Sequence, residues 1–184
     1  MDYRTSLGSH ALVIGASTTI GEQFARQLAK KGMSVVLVAR RQEELERVAA
    51  DINAAQGAGT ALACACDITN ADSLQAAIAA AAAAHGPARM LLHIAGIGAA
   101  KRVVGKDGNA APLEDFARVI NVNLIGTYNA ARLFAAACAK LDPMEDGERG
   151  VMVFTASVAA FDGQVGQQAY SASKAGVAGM TLPM

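Results

Sequence analysis

The chain has 184 residues, of which 53% are hydrophobic, 17% charged and 4% aromatic; this excludes intrinsic disorder and provides material for one domain with a sizeable core. Sixteen Lys and Arg balance sixteen Asp and Glu, so neither a nucleic-acid binder held by bulk charge nor a polybasic membrane binder is expected. Three cysteines form no disulfide framework, the first ten residues are mostly polar, and no apolar run approaches the roughly 18 residues of a membrane span, so the expectation is a cytoplasmic protein without an export signal.

Short apolar runs alternate with longer segments of helical period. Residues 10–14, His-Ala-Leu-Val-Ile, read as a buried strand ending at Gly15. Ile20, Phe24 and Leu28 recur at every fourth position and predict a helix with that stripe as its apolar face, stopped at Gly32. Residues 34–38 are dense in β-branched side chains and predict a second strand. Leu45, Val48, Ala49 and Ile52 mark one face of a second helix, and 60–65 a third strand. Asn70 or Asp72 could cap a third helix carrying Leu74, Ala77 and Ile78 and ending near Gly86 and Pro87. A fourth strand is expected at 89–94, a polar loop at 99–111, a long helical segment with room for a bend at 112–140, a fifth strand at 150–156 and a final helix at 168–182. Strands alternating with helices in this way predict the α/β class. The expected fold is a doubly wound, Rossmann-type parallel sheet, with residues 1–184 as a single dinucleotide-binding domain.

Gly15-Ala16-Ser17-Thr18-Thr19-Ile20-Gly21 falls at the first strand-to-helix turn. Glycines there let the backbone approach a phosphate, and the helix N-terminus adds free amides and a favourable dipole; a plain tight turn is the alternative. After the second strand, where an acidic residue would accept the ribose 2′-hydroxyl of NAD, the chain has Ala39 followed by Arg40 and Arg41. Guanidinium groups suit a 2′-phosphate, which favours NADP over NAD, although a solvated basic helix start would read the same. Asp67 follows the third strand and either accepts a hydrogen bond from an adenine amino group or caps a turn. Cys64 and Cys66 share a strand face without further ligands at metal spacing, so they read as core and no metal site is expected.

Ser157, Tyr170 and Lys174 are the most informative set. Tyr170 and Lys174 are four apart, on one face of the final helix. A free tyrosine, with a pKa of about 10, exchanges protons poorly near neutrality, and a neighbouring ammonium stabilises its phenolate. Ser157, just past the fifth strand, could hydrogen-bond a substrate oxygen. Ser171-Ala172-Ser173-Lys174 also matches the S-x-x-K of serine acyl-enzymes, but the companion motifs of that chemistry are missing from the chain.

In combination and in this order, these motifs resemble the short-chain dehydrogenase/reductase family over essentially the whole chain. The family's phosphate loop corresponds to Gly15 through Gly21, with Ser17, Thr18, Thr19 and Ile20 between. Its Asn-Asn-Ala-Gly corresponds to His93-Ile94-Ala95-Gly96, its catalytic Asn to Asn123, and its Ser and Tyr-x-x-x-Lys to Ser157, Tyr170 and Lys174. The stretch 149–183 is similar, in particular, to the type-2 3-hydroxyacyl-CoA dehydrogenase branch. The resemblance implies an NADP(H)- or NAD-linked oxidoreductase acting on a small-molecule secondary alcohol or ketone, such as a 3-hydroxyacyl or 3-oxoacyl thioester. It implies Tyr170 as general acid/base, Lys174 on the tyrosine and the nicotinamide ribose, Ser157 on the substrate oxygen, and Asn123 holding a water that links Lys174 to solvent. Arg40, Asp67, Ile68, Ala95 and Gly96 complete the implied cofactor contacts. Pairing through helices near 113–140 and 168–182, as a homodimer or homotetramer, is implied too.

The chain departs from the family pattern at four places. Thr19 replaces the middle glycine of the phosphate loop, where a β-branched residue tolerates unusual backbone angles poorly. His93 and Ile94 replace both asparagines, and Ala39-Arg40 replaces the acidic residue that the acyl-CoA enzymes use for NAD. The chain stops at Met184, whereas family members continue through two further strands and the substrate loop, so the sheet is expected to lack the C-terminal strands. A non-catalytic nucleotide-binding fragment is therefore the alternative to an active enzyme.

Overall fold

Apolar strand runs flanked by amphipathic segments can hide both faces of a parallel sheet only by winding the connections over it. The computed structural model describes residues 10–145 and 147–184, arranged accordingly. The polar segment 1–9, read above as carrying no export signal, lies outside the described residues. The elements are β1 (His10–Ile14), α1 (Thr19–Lys30), β2 (Ser34–Ala39), α2 (Gln42–Gln56), β3 (Ala61–Ala65), α3 (Ala71–His85), β4 (Met90–His93), α4 (Leu113–Ile120), a π-helical turn (Asn121–Ile125), α5 (Gly126–Cys138), β5 (Val151–Phe154), a 3₁₀ turn (Val158–Ala160) and α6 (Gln168–Thr181).

The strands form one five-stranded sheet in the order β3-β2-β1-β4-β5. Parallel ladders join β2 to β3, β1 to β2 and β1 to β4, with Ile14 opposite Val38 on one side and His93 on the other. The order reverses between β1 and β4, so the carboxyl ends of those two strands flank the switch point where such folds bind ligands. The ladder ends there because the amides of Ile94 and Ala95 both donate to the Ile14 carbonyl, at 2.8 and 3.1 Å.

Two compact units are distinguishable. One comprises the residues up to Ala95 together with 129–153; the other comprises 96–128 and 154–184. In the first, Val13, Val35, Leu37, Leu45, Val48 and Ile52 pack into a core with Ala25 and Ala29. A second cluster joins Ala11, Met33, Met90 and Leu92. In the second unit, α4 and the π turn pack on α6, as does the 3₁₀ turn. No helix among the described residues is long and apolar enough to cross a membrane.

The α1 stripe differs from its expectation. Ile20 is 59% and Phe24 44% exposed, and of the expected stripe only Leu28 packs, partly buried, against the core, whereas Gly21, Ala25 and Ala29 are buried. The helix turns its smallest residues to the sheet, because the turn at Gly15 brings its first coil too close for larger ones. A Cβ at Gly21 would lie 2.2 Å from the Gly15 carbonyl oxygen. The third helix is capped by Asn70, whose side chain accepts from the Ser73 amide, with Asp72 in the first turn. The bend expected within 112–140 is the π turn, where the Gly126 amide reaches back five residues to the Asn121 carbonyl.

Candidate active site

The phosphate loop belongs to the first unit. Gly15 adopts φ +91°, and a Cβ there would lie 2.6 Å from the Ala95 nitrogen, so only glycine lets the two strand ends approach this closely. Thr18 caps α1 through the Gly21 amide, and its hydroxyl also donates to the Gly15 carbonyl at 2.8 Å. The following amides, Thr19 and Ile20, are in the turn that helix geometry leaves without intrahelical acceptors. Thr19 opens α1, and no non-glycine residue among those described has positive φ. Its backbone therefore carries none of the strain expected from replacing a glycine.

Arg40 and Arg41 follow β2. The Arg41 guanidinium donates to the Ser17 carbonyl at 2.8 Å and ties the end of β2 to the phosphate loop. The positive charge of Arg40 acts on Asp67 beyond β3. The Thr69 amide, then the Thr69 hydroxyl, hold the Asp67 carboxyl below the usual carboxylate range, and Arg40 adds to this. Both Thr69 donors use Oδ1 of Asp67. Ile68 beside it is buried. Gly15 to Gly21, Arg40, Asp67, Ile68 and Ala95 thus all lie at strand carboxyl ends or the turns that follow them. The sequence reading singled out Arg40; the residue that touches the phosphate loop is its neighbour Arg41.

The second unit carries Gly96, Asn123, Ser157, Tyr170 and Lys174. Lys174 is only 4% exposed. Burial pushes its ammonium below the ordinary lysine value. Its Nζ donates to the Thr155 carbonyl at 2.6 Å and lies 5.8 Å from the Tyr170 ring centroid. Asn123, fully buried in the π turn, accepts from the Ile97 amide at 2.8 Å and donates to the Ile97 carbonyl and to Ser173 Oγ. Ser173 in turn donates to the Tyr170 carbonyl at 2.7 Å. A methyl at Gly96 would sit 3.3 Å from Asn123 Oδ1 and 3.5 Å from Lys174 Nζ, so this glycine leaves room beside both polar groups. Ser157 caps the 3₁₀ turn, its Oγ accepting from the Ala159 amide. That turn packs on α6, the helix of Tyr170 and Lys174. Gly96, Asn123, Tyr170 and Lys174 are thereby gathered around one buried ammonium, and Ser157 is held beside their helix. Ser173 and the Thr155 carbonyl were not anticipated; Ser173 was legible only as a position within Tyr-x-x-x-Lys.

A tyrosine beside a buried ammonium, with an asparagine and a serine held nearby, has the chemistry to exchange a proton at an oxygen. Comparison with known proteins decides its family. Residues 9–184 match the family described as short chain dehydrogenase.

The chain belongs to the short-chain dehydrogenase family.

It is 42% identical over 182 residues to the 3-hydroxyacyl-CoA dehydrogenase type-2 of Bos taurus, covering 98% of this chain and 68% of that protein. The crystal structure of a 3-hydroxyacyl-CoA dehydrogenase type-2 from Mycobacterium avium has a TM-score of 0.87 and 37% identity, covering 96% of this chain and 68% of the other. An actinorhodin polyketide ketoreductase with NADPH has a TM-score of 0.81 and 30% identity, covering 94% and 62%. An NAD+-bound xylitol dehydrogenase has a TM-score of 0.82 and 27% identity, covering 95% and 63%. As a short-chain dehydrogenase the chain is an NAD(P)-dependent oxidoreductase. The residues of the first unit fit a dinucleotide by their chemistry: glycines against the backbone, free helix amides for a diphosphate, and guanidinium and carboxylate groups at the ends of β2 and β3.

Proposed function

We propose that this short-chain dehydrogenase interconverts a secondary alcohol and a ketone with NADP(H), and that its substrate class is the 3-hydroxyacyl/3-oxoacyl thioester. The observation that carries the reading is the buried Lys174 beside Tyr170 on one helix, held by the Thr155 carbonyl. When bound, the nicotinamide supplies or accepts a hydride at its C4. In the reducing direction Tyr170 gives its phenolic proton to the substrate oxygen, and in oxidation it takes the proton back. Ser157 Oγ already accepts from the Ala159 amide, which leaves its own proton free to hydrogen-bond the same oxygen. Lys174 stabilises the phenolate and binds the nicotinamide ribose, while Asn123 holds the water that connects Lys174 to solvent.

Arg40 and Arg41 support NADP over NAD, since a 2′-phosphate gains charge-assisted bonds from guanidinium and an unpaired ribose hydroxyl does not. The thioester class rests on the names of the similar type-2 dehydrogenases. We propose further that the enzyme acts as a homodimer or homotetramer, on the strength of the exposed Leu113, Phe116, Ile125 and Tyr128 along α4 to α5.

The test is a paired titration with NADPH and NADH, followed by assay with acetoacetyl-CoA. Tighter NADPH binding and turnover that falls by about a hundredfold or more in Tyr170→Phe are expected, with cofactor affinity retained in the variant. A preference for NADH would replace the NADP reading with its NAD counterpart. Undiminished turnover in Tyr170→Phe would remove the catalytic assignment.

A further inference from the structure

The loop after β3 is held by more than its own turn. Asp67 and Asn70 shape it locally, through Thr69 and the cap of α3. The Ile68 carbonyl is gripped from much farther along the chain. Asn129, on α5 and 61 residues away, donates its Nδ2 to that oxygen at 2.9 Å. Asn129 is 7% exposed and Ile68 is equally buried. Arg132, one helical turn on, donates its Nε to Asn129 Oδ1 at 3.0 Å. A guanidinium is donor-only, so Arg132 fixes which end of the amide faces it and which end faces Ile68. The grip therefore has an exposed charged member that sets the orientation and a buried amide that transmits it. Both reach the residue next to Asp67, whose Oδ1 takes both Thr69 donors while Oδ2 accepts from no described residue.

We propose that Asn129, its amide aligned by Arg132, is a positioning residue for adenine recognition: it fixes the Ile68 carbonyl so that Asp67 presents its carboxylate to the 6-amino group of the base. This deepens the reading given under Proposed function and rests on it, because the loop must receive the adenine end of the dinucleotide. Without the Asn129 donor the buried Ile68 carbonyl loses its partner, and the loop shifts to regain one. The interaction at risk is then the one with the amino group and not those along the diphosphate.

The experiment compares NADPH with nicotinamide hypoxanthine dinucleotide phosphate in its reduced form. The second carries an oxygen in place of adenine's 6-amino group and a proton on N1, which adenine lacks. Both are titrated into the wild-type protein, Asn129→Leu and Arg132→Met, with thermal midpoints measured alongside. The wild type is expected to bind the adenine form more tightly by roughly tenfold. Asn129→Leu is expected to abolish most of that preference by weakening NADPH while leaving the hypoxanthine form nearly unchanged. Arg132→Met, at an exposed position, is expected to lower the preference in the same direction by a smaller factor, and it decides the matter alone if the leucine variant does not fold. A lowered thermal midpoint with the base preference intact would overturn the proposal and leave Asn129 a structural residue. A wild-type protein that binds both dinucleotides equally would overturn it differently, by showing that Asp67 does not read the amino group.

Discussion

Gly21 shows how a single hydrogen in place of a methyl group sets a binding surface. Its Cβ position is occupied by the Gly15 carbonyl, 2.2 Å away, so Gly21→Ala forces α1 off the loop that presents Thr19 and Ile20. Core-type overpacking of this kind costs typically 1–3 kcal/mol, about 1 at the low end. Chemical denaturation of Gly21→Ala should show a loss in that range, and dinucleotide titration a weaker complex. Arg41 is a different case, since its guanidinium bonds a carbonyl at an exposed place. Arg41→Gln is expected to change thermal stability little and to lower NADPH affinity more than NADH affinity, which the same titration reads. At this scale the sequence was informative where chemistry is carried by residue type. Glycines at the turn, and tyrosine and lysine at helical spacing, were all legible in it. The bond from Arg41 to the Ser17 carbonyl, and Ser173 as the bridge from Asn123 to the Tyr170 carbonyl, were not, because a partner 24 or 50 residues away leaves no local pattern.

Helix α1 illustrates how an element can be identified correctly and oriented wrongly. Its apolar period was visible, yet the buried face is Gly21, Ala25 and Ala29, with Ile20 and Phe24 exposed and only Leu28 of the stripe packing partly on the core. At Gly21 a larger residue is excluded by the close approach of the Gly15 carbonyl, and hydrophobicity alone does not encode clearance. Ala25→Leu should therefore destabilise by about 1–3 kcal/mol, and Phe24→Ser by less. Denaturant midpoints of the two variants decide between the faces. The π turn between α4 and α5 makes a related point. One residue too many for an α-helix moves Asn123 to a position where its amide holds Ile97 and Ser173 at once, and such inserted turns recur at functional sites. The sequence showed a long helical segment with a bend; the single-residue insertion was invisible because it leaves composition and period nearly unchanged.

For the molecule as a whole, stability should depend on pH through His10 at the start of β1. Burial, and then the charge of His85 with its ring 5.6 Å away, lower the His10 pKa from 6.5 to about 4, the His85 backbone opposing. A base whose pKa is depressed in the folded state binds its proton preferentially when unfolded. Stability is therefore complete above the unfolded value of 6.5 and declines as pH falls towards about 4, by up to roughly 3 kcal/mol. Thermal midpoints of His10→Leu followed from neutral pH downward should show a flatter acid limb than the wild type. Assembly is the second property of this scale. Gly176 on α6 lies against Leu124, where a Cβ would meet the leucine methyls at 2.8 Å, so that glycine serves packing inside its own unit. Gly179 has open space around it. A dimer or tetramer built on these helices should dissociate in Gly179→Arg, as sedimentation would show, with the fold retained.

What the sequence determined by itself was the order of strands and helices, the α/β class, and the motifs that place the chain in its family. Those features arise from short-range causes: residue period, turn glycines, capping side chains and motif spacing. Only the tertiary structure decided which face of α1 is buried, how the π turn aims Asn123, and that Lys174 is held by the Thr155 carbonyl. It also decided that Asn129 reaches the loop after β3. Each of those is a contact between residues distant in the chain, fixed by clearance and by the need of buried polar groups for partners, and neither constraint exists until the elements pack.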